Sequence, residues 1–514
     1  EIARQESEIL EIPCIINGKE VFTGDVVEQV MPHDHSHVLA RVHMATKANV
    51  EEAIQASLDA HEMWSTMPWE ARCAIFLKAS ELLRGEYRAQ INASTMLNQS
   101  KTCHQAEIDS ACELIDFWRF NTVYAREIYE DLQPPVSPSS MWNSSEVRPL
   151  EGFVFSVTPF NFSSIAANLP SSMAIMGNTG VWKPSRNSYV SNYLLMRLMM
   201  DAGLPAGVIN FIPGKASMVG ETVLSHPMLA GIHFTGSTNV FRKMWRDVAN
   251  NLEKYRSYPR VVGETGGKDF IVAHPDCDEA ALIVALLRGS FEFQGQKCSA
   301  ASRAYIPQSV WNRIKDEYCA EVGKITIGDP RDFTNFMSAV IDKKSFDNIT
   351  GYIDRAKADS GCEIVTGGGY DDSTGYFVEP TTIICSDPHY ESMAEEIFGP
   401  VLSIHVYPDD GYDAVLKTCD ETSEYALTGS IFATKREDIV TAMKALRYSS
   451  GNFYINDKPT GAVVGQQPFG GARGSGTNDK AGSPLNLLRW VSPRSIKETF
   501  APPHSWGYGF LEDK

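Results

Sequence analysis

No Cys-x-x-Cys pair occurs among the ten cysteines, which stand scattered at positions 14, 73, 103, 112, 277, 298, 319, 362, 385 and 419. That spacing argues against a zinc site and against a disulfide-stapled secreted scaffold, so no metal and a reducing compartment are expected. No apolar run approaches the ~20 residues of a membrane-spanning helix, and residues 1–13 have neither a basic end nor a long apolar centre. A membrane partner is therefore not expected. The chain begins with Glu1 rather than methionine, which leaves room for a removed targeting segment. Basic charge is also short, with 46 Lys+Arg against 64 Asp+Glu and a net charge of -18, which disfavours nucleic acid as a partner. Internal repeats and low-complexity tracts are missing too, so a solenoid is not expected.

What is present is a long chain, 514 residues with 43% apolar content, enough for two or three packed units. Its centre of interest is Phe291-Glu-Phe-Gln-Gly-Gln-Lys-Cys-Ser-Ala-Ala-Ser-Arg303. An apolar helical run (Leu282, Val284, Ala285, Leu286) precedes it, and Gly295 is expected to end that helix before Cys298. A thiol on such a loop is either a buried structural cysteine or a nucleophile, which the adjacent Lys297 could help ionise.

Upstream, Val262-Gly-Glu-Thr-Gly-Gly-Lys-Asp-Phe270 puts Glu264 in a glycine-rich turn between two apolar runs. A carboxylate beside a thiol is what an enzyme that forms and hydrolyses a thioester needs, because a base must activate water. A lone turn glutamate is more often simply solvated. Together the two stretches resemble the NAD(P)-dependent aldehyde dehydrogenases, with Cys298 matching the nucleophile and Glu264 the general base.

That resemblance organises the rest of the chain. Glu151-Gly-Phe-Val-Phe-Ser-Val-Thr-Pro-Phe-Asn-Phe162 reads as a strand ending near Pro159, and Asn161 matches the family's oxyanion-binding asparagine. Asn178-Thr-Gly-Val-Trp-Lys-Pro-Ser185 ends a second strand at Lys183, and Lys183 and Ser185 are implied contacts of the adenosine half of the cofactor. The family's acid three residues after the lysine is Arg186 here, and an arginine there can accept a 2′-phosphate, so NADP stands beside NAD. Gly236 and Ser237 open a helix where a phosphate would sit, although no Gly-x-Gly-x-x-Gly stands there and the family's usual glycine is Phe241. In Met393-Ala-Glu-Glu-Ile-Phe-Gly-Pro400, the resemblance implies that Glu396 grips the nicotinamide ribose and Phe398 packs by the ring.

The substrate side narrows further. Gln294-Gly-Gln-Lys-Cys-Ser299, Gly461-Ala-Val-Val-Gly-Gln-Gln-Pro-Phe-Gly-Gly471 and Gly476-Thr-Asn-Asp-Lys-Ala-Gly482 resemble the pyrroline-5-carboxylate dehydrogenase branch of the family. This implies NAD(P)-dependent oxidation of glutamate γ-semialdehyde to glutamate through a cysteine thioester, in proline catabolism. Ser299 with the amides of Gly461 and Ala462 would bind the α-carboxylate, Glu113 would lie near the ammonium, and Phe162 and Phe469 would sandwich the aliphatic chain. Glu113 by itself reads equally well as a helix-surface acid. Three alternatives stand beside this reading: an enzyme for another small semialdehyde, a CoA-acylating relative that the presence of Glu264 disfavours, and a non-catalytic scaffold of the same fold.

The expected architecture is α/β, because strands and helices alternate from 151 to 272 and again beyond Cys298. The resemblance implies a Rossmann-like dinucleotide-binding domain (12–132 and 152–265) and an α/β catalytic domain (266–466). It also implies a small β oligomerisation hairpin (133–151 and 487–501), in which Leu487-Leu-Arg-Trp-Val-Ser492 reads as a strand. Asn17-Gly18 between apolar flanks predicts a hairpin, and Asn49 with Glu52 predicts a helix start. A homodimer or larger homo-oligomer follows from the resemblance, in the bacterial cytoplasm or the mitochondrial matrix according to source.

Overall fold

Strand runs that are apolar on both faces have to be covered on both sides, and the computed structural model, which describes residues 1–512, builds two sheets of that kind. The first has seven strands in the order Arg260–Glu264, Leu229–Thr235, Phe153–Val157, Thr179–Lys183, Ile209–Phe211, Cys14–Ile16 and Lys19–Val21. The first five are parallel, and the last two form an antiparallel hairpin on the edge. Asn17 and Gly18 turn that hairpin with φ of 50° and 71°, the left-handed pair that a two-residue loop requires.

The second sheet runs Cys362–Thr366, Thr381–Cys385, Val401–Tyr407, Ala301–Pro307, Asp269–Ala273, Thr428–Phe432 and Asn452–Ile455, parallel except for its first strand. Only Thr265 to Lys268 separate the last strand of one sheet from the first strand of the other. Each sheet is sandwiched between helices, with buried clusters on both faces.

The first sheet reverses its winding between Phe153–Val157 and Leu229–Thr235, since the chain moves outward on one side and then returns to the other. At such a switch point a crevice opens beyond the carboxyl ends of the strands. Asn161 and Gly236 both follow strands that end there.

Several local expectations need correction. The helix Lys47–Thr66 is capped by Thr46 and not by Asn49: Asn49 N–H donates to Thr46 Oγ1 at 3.3 Å, and Thr46 N–H donates to Asn49 Oδ1 at 3.0 Å. Residues 487–492 do not form a strand. Pro484–Leu487 is a helical turn that continues as a 3₁₀ turn, Leu488–Trp490. Trp490 is buried in the core of the first sheet, where its carbonyl accepts a 2.8 Å bond from Asn178 Nδ2. Four apolar residues in six can line a helix or a strand equally well, and Pro484 at the first helical position decides for the turn. The pairing that does occur is between Met141–Glu146 and Arg494–Thr499, an antiparallel ribbon standing apart from both large sheets.

Candidate active site

The helix Glu279–Phe291 ends earlier than expected, because Phe293, Gln294 and Gly295 all take left-handed conformations with φ of 50°, 56° and 65°. Buried hydrogen bonds hold this costly backbone. Gln294 Nε2 donates to Ser100 O at 3.0 Å and to Ala339 O at 2.8 Å, and Ile341 N–H donates to Gln296 Oε1 at 2.9 Å. Gly295 is the one residue type that fits, since a Cβ there would lie 2.3 Å from the Gly399 carbonyl oxygen. Cys298 follows on this pinned loop.

Cys298 lines two cavities. One, of about 190 Å³, also holds Glu264, Glu113, Phe162, Ser299, Gly461, Ala462 and Phe469. The other, a cleft of about 920 Å³, holds Asn161, Lys183, Ser185, Gly236, Ser237, Glu396 and Phe398. The two share Ile165, Thr235 and Cys298, so the sulfur sits where they meet. Every residue assigned a catalytic, cofactor or substrate contact from the sequence thus lines one of these two spaces.

Lys297 needs a different role from the one its place in the sequence suggested. Its ammonium lies 3.3 Å from Glu292, and Lys458 reaches the same carboxylate at 3.7 Å. Burial pushes the Glu292 carboxyl up, but these two lysines and Arg288 hold it below its ordinary value. The Cys298 thiol instead is pushed well up, by burial first and then by the Asp269, Glu396 and Glu264 carboxylates. Burial and these neighbours thus favour the thiol over the thiolate.

Glu264 is the last residue of its strand rather than part of a free turn. Its carboxylate accepts the Gly471 N–H at 3.3 Å. Burial raises it well above the ordinary carboxylate range against that bond and the Lys480 charge. Lys480 is tied to the Gly451 and Gly470 carbonyls at 2.8 and 3.1 Å, so the glycine-rich stretch 465–482 closes over the base. Asn161 is buried, and its Nδ2 donates to the Gln296 carbonyl at 3.2 Å, which brings the amide to the cysteine loop.

On the cleft side, the Glu396 carboxylate accepts the Gly267 N–H at 2.9 Å, and burial raises it to about 7. A Cβ on Gly266 would lie 2.4 Å from Glu396 Oε2, so only glycine allows this approach. Lys183 is buried with one acceptor for its ammonium, the Pro184 carbonyl at 3.1 Å, and burial lowers it to about 8. Phe241, which replaces the expected glycine, stacks on Phe234 with centroids 5.4 Å apart, and its ring leaves no room for a Cβ on Gly263.

Sequence reading missed three parts of the aldehyde side. Thr460 Oγ1 is 2.8 Å from Ser299 Oγ and lines the same cavity. Lys101 is fully buried, pairs with Asp109 at 2.7 Å, and lies over the Phe162 and Phe293 rings at 4.6 and 4.3 Å. Asp109 also lines the cavity and adds to the burial that raises Glu113 to about 8, while the Ser164 hydroxyl donates to Glu113. The only advance signal for this pair was a lysine among polar residues ahead of an amphipathic helix, which normally marks a solvated cap.

Comparison with known proteins shows the family. Residues 22–496 match the Aldehyde dehydrogenase family. The mitochondrial delta-1-pyrroline-5-carboxylate dehydrogenase of Dictyostelium discoideum is 53% identical over 513 residues, 99% of this chain and 92% of that protein. Its human counterpart is 47% identical over 502 residues, 98% of this chain and 89% of that protein. A crystal structure of the Mycobacterium tuberculosis delta-pyrroline-5-carboxylate dehydrogenase bound with NAD superposes with a TM-score of 0.95 at 50% identity, covering 99% of this chain and 94% of that one. With a family match over residues 22–496 and relatives of about half identity that span nearly the whole chain, the chain belongs to the aldehyde dehydrogenase family.

Proposed function

We propose that the chain oxidises L-glutamate γ-semialdehyde, the open form of 1-pyrroline-5-carboxylate, to L-glutamate with NAD, a step of proline catabolism. The observation that carries this reading is the aldehyde-side cavity, in which Cys298 and Glu264 share a wall with Ser299, Thr460, the Gly461 loop and Glu113. An amino acid aldehyde carries two opposite charges, and burying them unmatched would be costly. Hydroxyls and loop amides suit the carboxylate, while Glu113 suits the ammonium. Phe162 and Phe469 supply the apolar walls between. The names of the Dictyostelium, human and Mycobacterium relatives support the same substrate.

The cleft suits a dinucleotide. Lys183 presents a buried ammonium with spare donors to ribose hydroxyls, Gly236 and Ser237 open the helix Thr238–Asn250 toward a phosphate, and Glu396 accepts from the other ribose. NAD supplies a hydride acceptor and a positive ring. The residues do the rest. Glu264 takes the Cys298 proton, the sulfur adds to the aldehyde carbon, and the Asn161 amide with the Cys298 N–H holds the resulting oxyanion. Once hydride has left, the acyl group remains as a thioester on Cys298. Glu264, having passed the thiol proton to solvent, then removes a proton from the attacking water, the C–S bond breaks, and the Cys298 sulfur takes that proton back as glutamate is released.

Cofactor choice rests on Arg186 and Glu28, which line the same cleft. The Glu28 carboxylate restores the negative charge missing at position 186 and opposes a 2′-phosphate. Steady-state oxidation of pyrroline-5-carboxylate is expected to favour NAD over NADP by at least about tenfold, the equivalent of ~1.4 kcal/mol. Turnover of simple aliphatic aldehydes without turnover of pyrroline-5-carboxylate would overturn the substrate reading.

Glu113 makes a separate prediction. With its carboxyl raised to about 8, the free protein holds a proton there at pH 7, and an incoming ammonium drives it off. Binding of the product, glutamate, is therefore expected to release a proton at pH 7 and to tighten as pH rises toward 8. Calorimetry in buffers of different ionisation heat reads this directly. Glu113→Gln is expected to weaken glutamate on the order of tenfold or more and to abolish the proton release.

The ribbon Met141–Glu146 with Arg494–Thr499 supports a reading of the subunit state. Trp142, Ile496 and Phe500 are 56%, 40% and 62% exposed there, and an isolated two-stranded ribbon is marginal in water. We assign this ribbon to a contact with a second copy of the chain, giving a homodimer or larger assembly. Residues 12–132 and 152–265 form the dinucleotide unit and 266–466 the catalytic unit, with 487–491 joining the former through Trp490. No helix among the described residues is long and apolar enough to cross a membrane. The compartment follows the source: mitochondrial matrix for a eukaryotic chain, as the names of the Dictyostelium and human relatives suggest, and cytoplasm for a bacterial one.

A further inference from the structure

The second sheet carries its single antiparallel pairing at one edge, where Cys362–Thr366 runs against Thr381–Cys385. In that register Cys362 stands directly opposite Cys385, so both side chains project from the same face of the sheet. The neighbouring pair, Gly361 and Ser386, exchanges a ladder bond, Ser386 N–H to Gly361 O at 3.0 Å, while Cys362 N–H turns to Asp359 O at 3.1 Å. Ladder bonds alternate, so the cysteines occupy a non-hydrogen-bonded position, where facing Cα atoms lie about 4.5 Å apart. That separation is at the short end of the range a disulfide spans, ~4.4–6.8 Å.

We propose that Cys362 and Cys385 are a redox-modification site, forming a reversible cross-strand disulfide that loosens the cofactor loop. Cys362, half-buried on the edge strand, meets the oxidant, for which a peroxide serves. Its sulfur attacks a peroxide oxygen, the O–O bond breaks, and the leaving hydroxide takes a proton to become water. Cys385 sulfur then attacks the resulting sulfenic acid, the S–O bond breaks, and a second water leaves with the Cys385 proton. Two thiols and one peroxide give one disulfide and two waters, and a dithiol reverses the change. Burial pushes both thiols up, Cys385 to about 12, so the reaction is slow at neutral pH and accelerates as pH rises. A bridge made at the short limit of Cα separation is strained and therefore easily reduced.

The reduced Cys385 sulfur does not stand idle. It lies 3.7 Å from Ser392 Oγ, which also accepts a 2.7 Å bond from Ser403 Oγ. Ser392 sits in the helical turn Glu391–Ala394, immediately before Glu395 and Glu396. Swinging Cys385 toward Cys362 removes one of the ties that hold this turn and, through it, the Glu396 carboxylate at the cleft. This coupling rests on reading the cleft as the NAD site.

The test uses the full chain in a Cys298→Ala background, so that oxidation of the catalytic sulfur cannot contribute. After hydrogen peroxide at pH 8.5, alkylation and digestion, peptide mapping is expected to give a pair joined at 362 and 385 that dithiothreitol separates. NAD affinity is expected to fall about fivefold, the equivalent of one lost hydrogen bond, and to recover on reduction. The same chain with Cys362→Ser should show neither change. Absence of the linked pair, or a linked pair with unchanged NAD affinity, overturns the proposal. Failure of the reduced protein to bind NAD would instead overturn the cofactor reading and the coupling built on it.

Discussion

Replacing Cys298 with alanine is expected to lower pyrroline-5-carboxylate turnover by on the order of 10⁵-fold or more, the scale seen when a covalent nucleophile is removed. The protein should remain folded. Cys298 lies on a loop held by Gln294 and Gln296, whose bonds to Ser100, Ala339 and Ile341 do not involve the sulfur, so thermal unfolding is expected within about 0.5 kcal/mol of the parent. Loss of turnover with an unchanged melting curve and retained NAD binding assigns the sulfur to chemistry. Residual activity within tenfold of the parent would sink the thioester mechanism. The other thiol lining the cavity, Cys112, lies beside Glu107 and Arg88.

Glu264→Gln is expected to separate the two halves of the reaction. Glutamine keeps the volume and can still meet the Gly471 amide region, but it cannot take a proton. A rapid rise of reduced cofactor, equal to one per active site, should be followed by a steady rate lowered about 10²- to 10⁴-fold. Because Glu264 also receives the thiol proton, the burst should be slower than in the parent and should quicken as pH rises, since the raised Cys298 thiol must then ionise into solvent. In the parent, both groups that must lose protons are raised by burial, so the rate should climb with pH well above the ordinary carboxylate range. Rapid-mixing absorbance of the reduced cofactor across pH decides this. A variant with neither burst nor slowed steady state would remove Glu264 from the mechanism.

Much of this site was legible because its parts follow strand ends, and strand ends are marked by chemistry that sequence carries locally. Phe153-Val-Phe-Ser-Val157 stops near Pro159 and so places Asn161 just beyond the strand end, and Gly266 and Gly267 can be nothing larger beside Glu396 and Cys298. What was illegible depends on distant partners. Lys297 is adjacent to Cys298 in sequence, yet its long side chain goes to Glu292, a choice made by the fold around Lys458. Lys101 and Asp109 look like solvated charges until the Phe162 and Phe293 rings cover the lysine and the lysine pairs with the aspartate. Cys362 and Cys385 become neighbours only through the register of an edge strand. The turn at Leu487–Trp490 was read as a strand because short apolar runs carry no reliable period, although Pro484 pointed the other way.

Trp490 also bears on how the chain is held together. Its ring, with Leu487 and Val491, belongs to the same buried cluster as Trp64, Trp118 and Trp182, near the opposite end of the sequence. The core of the first sheet is therefore completed by side chains from far along the chain, beyond the whole of the second sheet. Trp490→Ala is accordingly expected to lower the melting temperature of the part that carries Glu264, although the substitution lies far from Cys298 in sequence.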